Sequence, residues 1–454
     1  MLRKYVDDYL DRVVGRVKWK KAHHLIRREL DDHLTDQYEA YVDAGEDTDT
    51  AAQKAVLSMG DADVIGDELN AVYRPKIDVQ LIVMTVLVFA AGMLGQCLYR
   101  LAVGPNSIGG AVPGMVCGCI VMVVCALFDV NRMKNRPWLW FFGYLALVVL
   151  TLAMSSDLNG KRISVINTPL HTGYMVILAP IVWAAVIHKL KNRGTMGVLL
   201  CGGLFFLPIF AALMTPSIFG ALIIIASGLV LLGYAIAKGW FGKKKWLYAL
   251  IVYVPTLVAT IIVHRRLPPR FTAYLSLKPL PDSAEYWWGN RLREMLSHTA
   301  TAGAGTTWEF FEQMNYNGAL ADFKLTVLIY GYGWIVLPIL AALMLACGYC
   351  IARVIRKQNT MFGKLLGLST SMLLLMQCIS AILTGLAFVI NTDYPLPFLG
   401  GNYTWLYNSL LIGILLSLSR HNCLTSETAD RIGSVKHQKR LFEIDNGKLI
   451  IYLR

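Results

Sequence analysis

The chain has 454 residues, 56% of them hydrophobic, and a formal net charge of +13. Its mean hydropathy of +0.50 excludes an ordinary soluble globule and points to an integral membrane protein. The charge distribution excludes a nucleic-acid role: residues 1–76 hold 12 Lys/Arg against 16 Asp/Glu, and the positive excess lies in loops between apolar runs.

Residues 1–76 read as a small cytoplasmic helical domain. The start is not a secretory leader, because no apolar core follows Arg3 and Lys4. Val6, Leu10, Val13, Val14 and Val17 repeat at helical spacing. Ile26, Leu30, Leu34, Tyr38 and Val42 form a second stripe, with Glu29, Asp32, Asp36 and Glu39 among its polar positions. Gly45 ends that helix, and Asp47 to Asp49 offers caps for a third over about Thr50 to Met59. A further helical stretch runs from Gly60-Asp61 toward Tyr73. His23, His24 and His33 read as surface polar residues, since no cysteine or carboxylate cluster accompanies them.

Ten apolar runs follow Lys76: Val79–Tyr99, Ile108–Phe128, Trp138–Met154, Thr172–Ile187, Met196–Met214, Ile218–Ala237, Trp246–Val263, Leu325–Ala352, Leu365–Ile390 and Trp405–Leu418. Most are near the roughly 20 residues a helix needs to cross a bilayer. Every second connection is basic. The first holds Arg132, Lys134 and Arg136, and the next His188, Lys189, Lys191 and Arg193. Then come Lys238 with Lys243, Lys244 and Lys245, and finally Arg353, Arg356, Lys357 and Lys364. The intervening connections carry only Arg100, then Lys161 and Arg162, then no charge near Thr215 and no base near Asp393. The positive-inside rule then places both termini in the cytoplasm and the long loop 264–324 outside. The nine cysteines (Cys97, Cys117, Cys119, Cys125, Cys201, Cys347, Cys350, Cys378 and Cys423) fall mostly inside spans and read as small apolar residues, not a disulfide framework. Cys347 and Cys350 have redox-motif spacing but lie within a span. The tail 422–454 is polar and basic, with one short apolar run from Lys448 to Leu453.

The outer loop carries the residues with chemical potential. His264, Arg265, Arg266 and Arg270 surround Pro268 and Pro269 at the end of the seventh span. Such cations either grip lipid phosphates or snorkel from a span end. Lys161 and Arg162, after the third span, can reach the same anion. Asp322 stands just before the eighth span. It reads either as a general base whose pKa is raised by partial desolvation, or as the N-cap of the helix that follows. Between these features, Tyr286, Trp287, Trp288, Leu292, Met295 and Leu296 make one face of a short helix. That helix either lies in the headgroup plane, caps the bundle or walls a lipid groove. Ala302-Gly303-Ala304-Gly305 reads as a flexible turn.

Two resemblances follow. Ile26-Arg27-Arg28-Glu29-Leu30-Asp31-Asp32-His33-Leu34, with Ala51-Ala52 and Met59-Gly60-Asp61 after it, resembles the HAAS-type helical prefix that precedes permease-like membrane domains in Gram-positive bacteria. It implies a regulatory role for residues 1–76. The membrane part, 77–421, resembles the SEDS family of bacterial shape, elongation, division and sporulation proteins. Gly160-Lys161-Arg162-Ile163 with Thr168-Pro169 is similar to its Gly-x-Arg-Trp…Gln-Pro-Ser-Glu stretch. Leu207-Pro208 with Thr215-Pro216-Ser217 resembles the next span and its Gln-Pro-Asp turn. Arg270-Phe271-Thr272-Ala273-Tyr274-Leu275 resembles the start of the large outer loop, and Ala321-Asp322-Phe323 the Thr-Asp-Phe segment with the essential Asp. Tyr394-Pro395-Leu396-Pro397-Phe398 with Gly400-Gly401 resembles the closing Leu-Pro-Phe…Gly-Gly motif.

The SEDS resemblance implies an all-α, polytopic bundle of about ten transmembrane helices in the bacterial cell membrane. It implies polymerisation of lipid II outside the membrane, beside a class B penicillin-binding protein transpeptidase and membrane lipids. Asp322 would be the base, and Arg162, Arg265, Arg266 and Arg270, with Lys161, would face the pyrophosphate. A divalent cation (magnesium or manganese) could accompany that pyrophosphate, and no protein metal site is implied. The chain departs from the family at several positions. His171 stands for the motif Glu, Tyr174 for the following Lys and Ser217 for the turn Asp; Ile329 and Tyr330 replace an acidic pair, and Asn402 and Tyr403 replace serines. A non-catalytic scaffold or regulator is therefore the alternative to an enzyme. A lipid II transporter ranks third, because the spans are almost free of the ionisable groups that transport needs.

Overall fold

Apolar residues three and four apart build the front of the chain, as a computed structural model shows. It describes residues 2–73, 78–103, 111–158, 161–165, 171–215, 217–266, 281, 286–306, 311, 319–389, 394–421, 442–445 and 448–451. The chain divides into one unit of Met1–Ile77 with Arg420–Arg454 and another of Asp78–Ser419.

In the first unit, α1 (Leu2–Arg16), α2 (Lys20–Asp43), α3 (Thr48–Ser58) and α4 (Ala62–Tyr73) enclose a core that includes Leu10, Val13, Ile26, Leu30, Leu34, Met59 and Leu69. Gly45 has φ +89 after α2, a left-handed geometry that costs other residues energy. Asp47 caps α3 by accepting from the Asp49 amide. The structure corrects three sequence expectations in this unit. The third helix starts two residues early, at Thr48, because Asp47 is the cap. Val42 is exposed at the frayed end of its stripe. His33 is buried, because it shares the inner face of α2 with Leu30 and Leu34. In the tail, strands of Phe442–Asp445 and Lys448–Ile451 pair antiparallel.

In the second unit each of the ten apolar runs is mainly helical over its described residues. The helices are α5 (Val79–Val103), α6 (Ala111–Leu127), α7 (Pro137–Met154), α8 (Thr172–Val176), α9 (Ala179–Lys189), α10 (Gly194–Met214), α11 (Ile218–Ala237) and α12 (Lys245–Arg266). They continue with α13 (Trp287–Ser297), α14 (Lys324–Tyr332), α15 (Val336–Arg356), α16 (Met361–Gly385) and α17 (Asn402–Arg420). Among the described residues, 7 helical segments are long and apolar enough to cross a membrane, and Val112–Leu127 and Lys245–Ile261 are shorter apolar helices. Large side chains such as Leu101, Phe206, Trp246, Leu345 and Tyr349 point outward. Lipid tails offer such a surface no penalty.

The core centres on α9, whose Ile181, Trp183, Val186 and Ile187 are buried by α7, α11 and α16. Trp183 stacks on Phe205 at 4.0 Å between centroids. Helices α6 and α17 approach through glycine: a Cβ at Gly118 would lie 2.7 Å from Ser409 Oγ, and one at Gly413 2.9 Å from the Met122 carbonyl. Small residues at such crossings let backbones touch where hydrophobic exclusion gives no drive.

The fourth and eighth runs are broken. The fourth divides into α8 and α9 near Pro180. The eighth, expected as one span over Leu325–Ala352, stops at Gly333, whose φ of 93 and ψ of 170 end α14 before α15 begins. Backbone bonds then clip the segment 300–306 across this break: Gly303 N and Gly305 N donate to the Tyr332 and Tyr330 carbonyls, and Trp334 N and Ile335 N to Ala300 and Thr301. The glycine-rich turn is thus held by hydrogen bonds. After α7, Ser155–Leu158 (β1) and Lys161–Val165 (β2) form a hairpin that the sequence patterning does not announce.

Candidate functional site

Asp322 closes a short 3-10 turn, Ala319–Asp322, at the mouth of α14. The N-cap position of α14 falls on Phe323, which makes no side-chain cap. Asp322 is exposed, while Phe323 beside it is buried. The amphipathic α13 fixes this corner. Its Leu292, Met295 and Leu296 enter one cluster with Leu320, Phe323, Leu325 and Leu328, and Trp288 packs on Phe323 at 5.3 Å. The inner face of this helix packs on the bundle, as the cap reading expects.

Lys324 follows, half-buried against α5. Its Nζ donates to Gln96 Oε1 at 3.1 Å and lies 5.1 Å from the centre of the Tyr99 ring. Burial pulls Lys324 down to about 8 from an ordinary 10.5, and the Asp322 charge opposes that shift. Gln96 is itself buried, and its Nε2 donates to the Leu399 and Gly400 carbonyls at 2.5 and 2.6 Å. The closing segment 394–401 is held from its other side by Gln377 Nε2, which donates to the Pro395 carbonyl at 2.8 Å. Asp322, Lys324, Gln96 and the closing segment therefore meet at one end of the bundle.

The expected cations are placed less fully. Arg265 is exposed in the last turn of α12. Lys161 and Arg162 have their backbones in β2, with Arg162 opposite Asp157 in register. The side chains of Lys161, Arg162 and Arg266, and all of Arg270, lie outside the described residues. Among the described residues no three His, Cys, Asp or Glu side chains gather.

Four of the departed positions, His171, Tyr174, Ser217 and Tyr403, come together in a second cluster. Tyr174 Oη and Thr404 Oγ1 are 3.1 Å apart, and Ser217 Oγ and Tyr394 Oη 3.3 Å. Tyr174 packs edge-on against Tyr394, and His171 lies 5.2 Å from Tyr403. A cavity of about 140 Å³ opens beside His171, Tyr174, Tyr403 and Tyr407. His171 and Ser217 also cap helices, accepting from the Gly173 amide at 3.2 Å and the Gly220 amide at 3.1 Å. Sequence reasoning missed Gln96, Lys324 and Tyr99. The only signals were an amide deep in the first apolar run and a base two residues past Asp322.

No protein-family model and no curated protein sequence matches this chain. Solved structures do match. A chain from a study of the structural coordination of polymerization and crosslinking by a peptidoglycan synthase complex superposes with TM-score 0.58 at 17% identity, covering 76% of this chain and 98% of that one. Thermus thermophilus rod shape determining protein RodA superposes with TM-score 0.53 at 14% identity, covering 76% of this chain and 97% of its own. A point mutant of that RodA gives TM-score 0.54 at 13% identity, with 76% and 98% covered. The membrane unit therefore has the polytopic all-helical fold of these proteins.

Proposed function

We propose that this chain is a SEDS-type cell-wall protein that polymerises lipid II, with Asp322 as general base. The observation that carries the proposal is the position of Asp322. It is exposed at the head of α14, braced by α13, in a fold shared with RodA and with a peptidoglycan synthase complex chain. The Asp322 carboxylate takes the proton from an acceptor sugar hydroxyl. That oxygen bonds to the anomeric carbon of the donor as the bond from carbon to pyrophosphate breaks. Undecaprenyl pyrophosphate leaves with the electron pair, and the anomeric centre inverts. Negative charge grows on the leaving group, which Arg162, Arg265, Arg266, Arg270 and Lys161 would stabilise. On the same reading, both termini are cytoplasmic, the site faces outward, residues 1–76 are a regulatory prefix, and a class B transpeptidase is the partner.

A second reading, a scaffold that binds the precursor or the transpeptidase without turnover, is favoured by the neutral hydroxyl cluster at Tyr174, Ser217, Tyr394 and Thr404. Polymerisation of labelled lipid II by purified protein, with and without the cognate transpeptidase, separates the two. The enzyme reading expects strands from the parent and none from Asp322→Ala. Strands from the mutant would exclude Asp322 as base, and none from the folded parent with its partner would leave the scaffold.

A further inference from the structure

A groove runs along the flank of the membrane unit between α10 and α12. Both helices pack against α11, and the space between them is about 450 Å³. Trp183 of α9 and Leu232 of α11 line it and are buried, whereas Leu199 and Phe206 of α10 and Pro255 and Ala259 of α12 line it and are exposed. The groove therefore opens sideways from the bundle. Its walls are aliphatic and aromatic, and the Thr256 hydroxyl among them donates to the Val252 carbonyl of its own helix at 2.8 Å. Gly202 and Gly203 leave the α10 wall as bare backbone. A Cβ at either would meet no atom within 4 Å, unlike one at the crossing glycines Gly118 and Gly413. Small residues in a membrane helix ordinarily admit a second helix, yet no described helix of this chain enters here.

We propose that this groove holds one acyl chain of an anionic glycerophospholipid, whose phosphate lies on Lys243 and Lys244. The medium, the length and the charge each point to that occupant. An opening on the flank of a membrane bundle faces lipid tails, and water would find too few polar partners inside. From Val198 to Ile209 the groove follows α10 for about 16 Å, roughly half of the ~30 Å hydrocarbon thickness and so the depth of one leaflet. The end marked by Val198 and Leu232 lies about 9 Å along α11 from the basic loop that joins α11 to α12. In that loop Lys245 Nζ donates to the Ala237 carbonyl at 2.8 Å, and Lys238 Nζ lies 5.8 Å from the centre of the Tyr234 ring. Lys243 and Lys244 are exposed, and among the described residues no acid pairs with them. Trp246 beside them is exposed, as an anchor at headgroup depth would be. A basic surface between membrane helices at that depth recognises lipid headgroup phosphates. The chain in the groove gives the facing walls of α10 and α12 the dispersion contacts that they do not make with each other. The lipid thereby steadies α12, which carries Arg265 in its last turn.

Native mass spectrometry of the full chain in detergent, titrated with dioleoyl phosphatidylglycerol or dioleoyl phosphatidylcholine, tests this. One phosphatidylglycerol should be held roughly 30-fold more tightly than phosphatidylcholine, the preference that two lysines give near a headgroup. Replacing both lysines, Lys243→Gln with Lys244→Gln, should remove that preference. Gly203→Leu places a side chain in the groove and should abolish the tightly held lipid. Gly143→Leu is the control, since Gly143 is exposed on α7 and a Cβ there also meets no atom within 4 Å; it should bind as the parent does. Equal affinity of the parent for the two lipids would overturn the anionic assignment. Equal loss in Gly203→Leu and Gly143→Leu, or none in either, would overturn the groove as the place. Undecaprenyl phosphate held more tightly than phosphatidylglycerol would make a polyprenyl chain the occupant instead. A dimer that Gly203→Leu dissolves would make it a second copy of this chain. Thermal unfolding in the same detergent checks each variant. The lysine pair is exposed, so its arm decides the anionic assignment even where Gly203→Leu fails to fold.

Discussion

Gln96 joins two parts of the candidate site, and replacing it with Leu tests that junction directly. The substitution keeps a buried side chain of similar size but removes both donors to the Leu399 and Gly400 carbonyls and the acceptor for Lys324. A buried polar group stripped of its partner costs about 1–3 kcal/mol. Two carbonyls are stranded, and they sit in a segment that still keeps the packing of Phe398 and Leu399. The expected loosening of 394–401 is thus about 2–4 kcal/mol, or roughly 30- to 1,000-fold in local opening. Hydrogen exchange on the full chain in detergent reads it at the Leu399 amide, bonded to the Leu396 carbonyl, and at the Thr404 and Trp405 amides, bonded to Gly401. Gln96→Glu is the informative companion. It keeps an acceptor for Lys324 and loses both donors, so the segment should loosen as much while Lys324 stays tethered. Protection in Gln96→Leu within about threefold of the parent, less than 1 kcal/mol, would refute the assignment of Gln96 as the clamp.

Gly333→Ala should undo the break before α15. The backbone there lies in a region that other residues enter only at about 1–3 kcal/mol, and the new Cβ would lie 2.6 Å from Ala302 Cα. Faster exchange at the Gly303, Gly305 and Trp334 amides is expected, and unchanged protection would count against the clip. Glu29 is pushed up to about 7 from 4.5, first by burial and then by Asp32, and its Oε2 is buried without a hydrogen-bond partner. A raised carboxyl pKa stabilises the fold below pH 4.5, and that contribution is lost as pH rises through about 7. Glu29→Gln should therefore strengthen α2 protection at pH 8 and leave it unchanged below 4.5; equal protection at pH 8 would contradict this.

The helical bundle was legible because each span must satisfy its own backbone in lipid, which forces long apolar runs that composition reveals. The breaks within those runs were not. Gly333 sits inside an apolar stretch, and its role depends on Ala302 packing against it. The place of Asp322 just before a helix was legible in the sequence. Its surroundings were hidden: Gln96 bonds to residues 303 and 304 positions away, a separation no local periodicity encodes. The same holds for Lys324, which looks like any boundary lysine until α5 folds against it. His33 failed for a different reason, since a titratable side chain on a mostly polar helix carries no mark of which face it takes.

The departures from the SEDS pattern bear on whether the site works. At His171, Tyr174 and Ser217, where the SEDS pattern has charged residues, the structure gives the side chains present jobs that need no charge. His171 and Ser217 cap α8 and α11, and Tyr174 bonds across to Thr404 at the head of α17. Ions buried within a bundle must recover a desolvation cost of several kcal/mol, about what their attraction returns. Paired hydroxyls hold the same helices with far less to recover. Losing charge there is consequently a change in how helices are fastened, and it removes no group that the proposed displacement uses. At the head of α14, Lys324 lies two residues from Asp322, and Gln96 bonds both to it and to the closing segment. Either reading accommodates that lysine, and polymerisation by the parent against Asp322→Ala is what separates them.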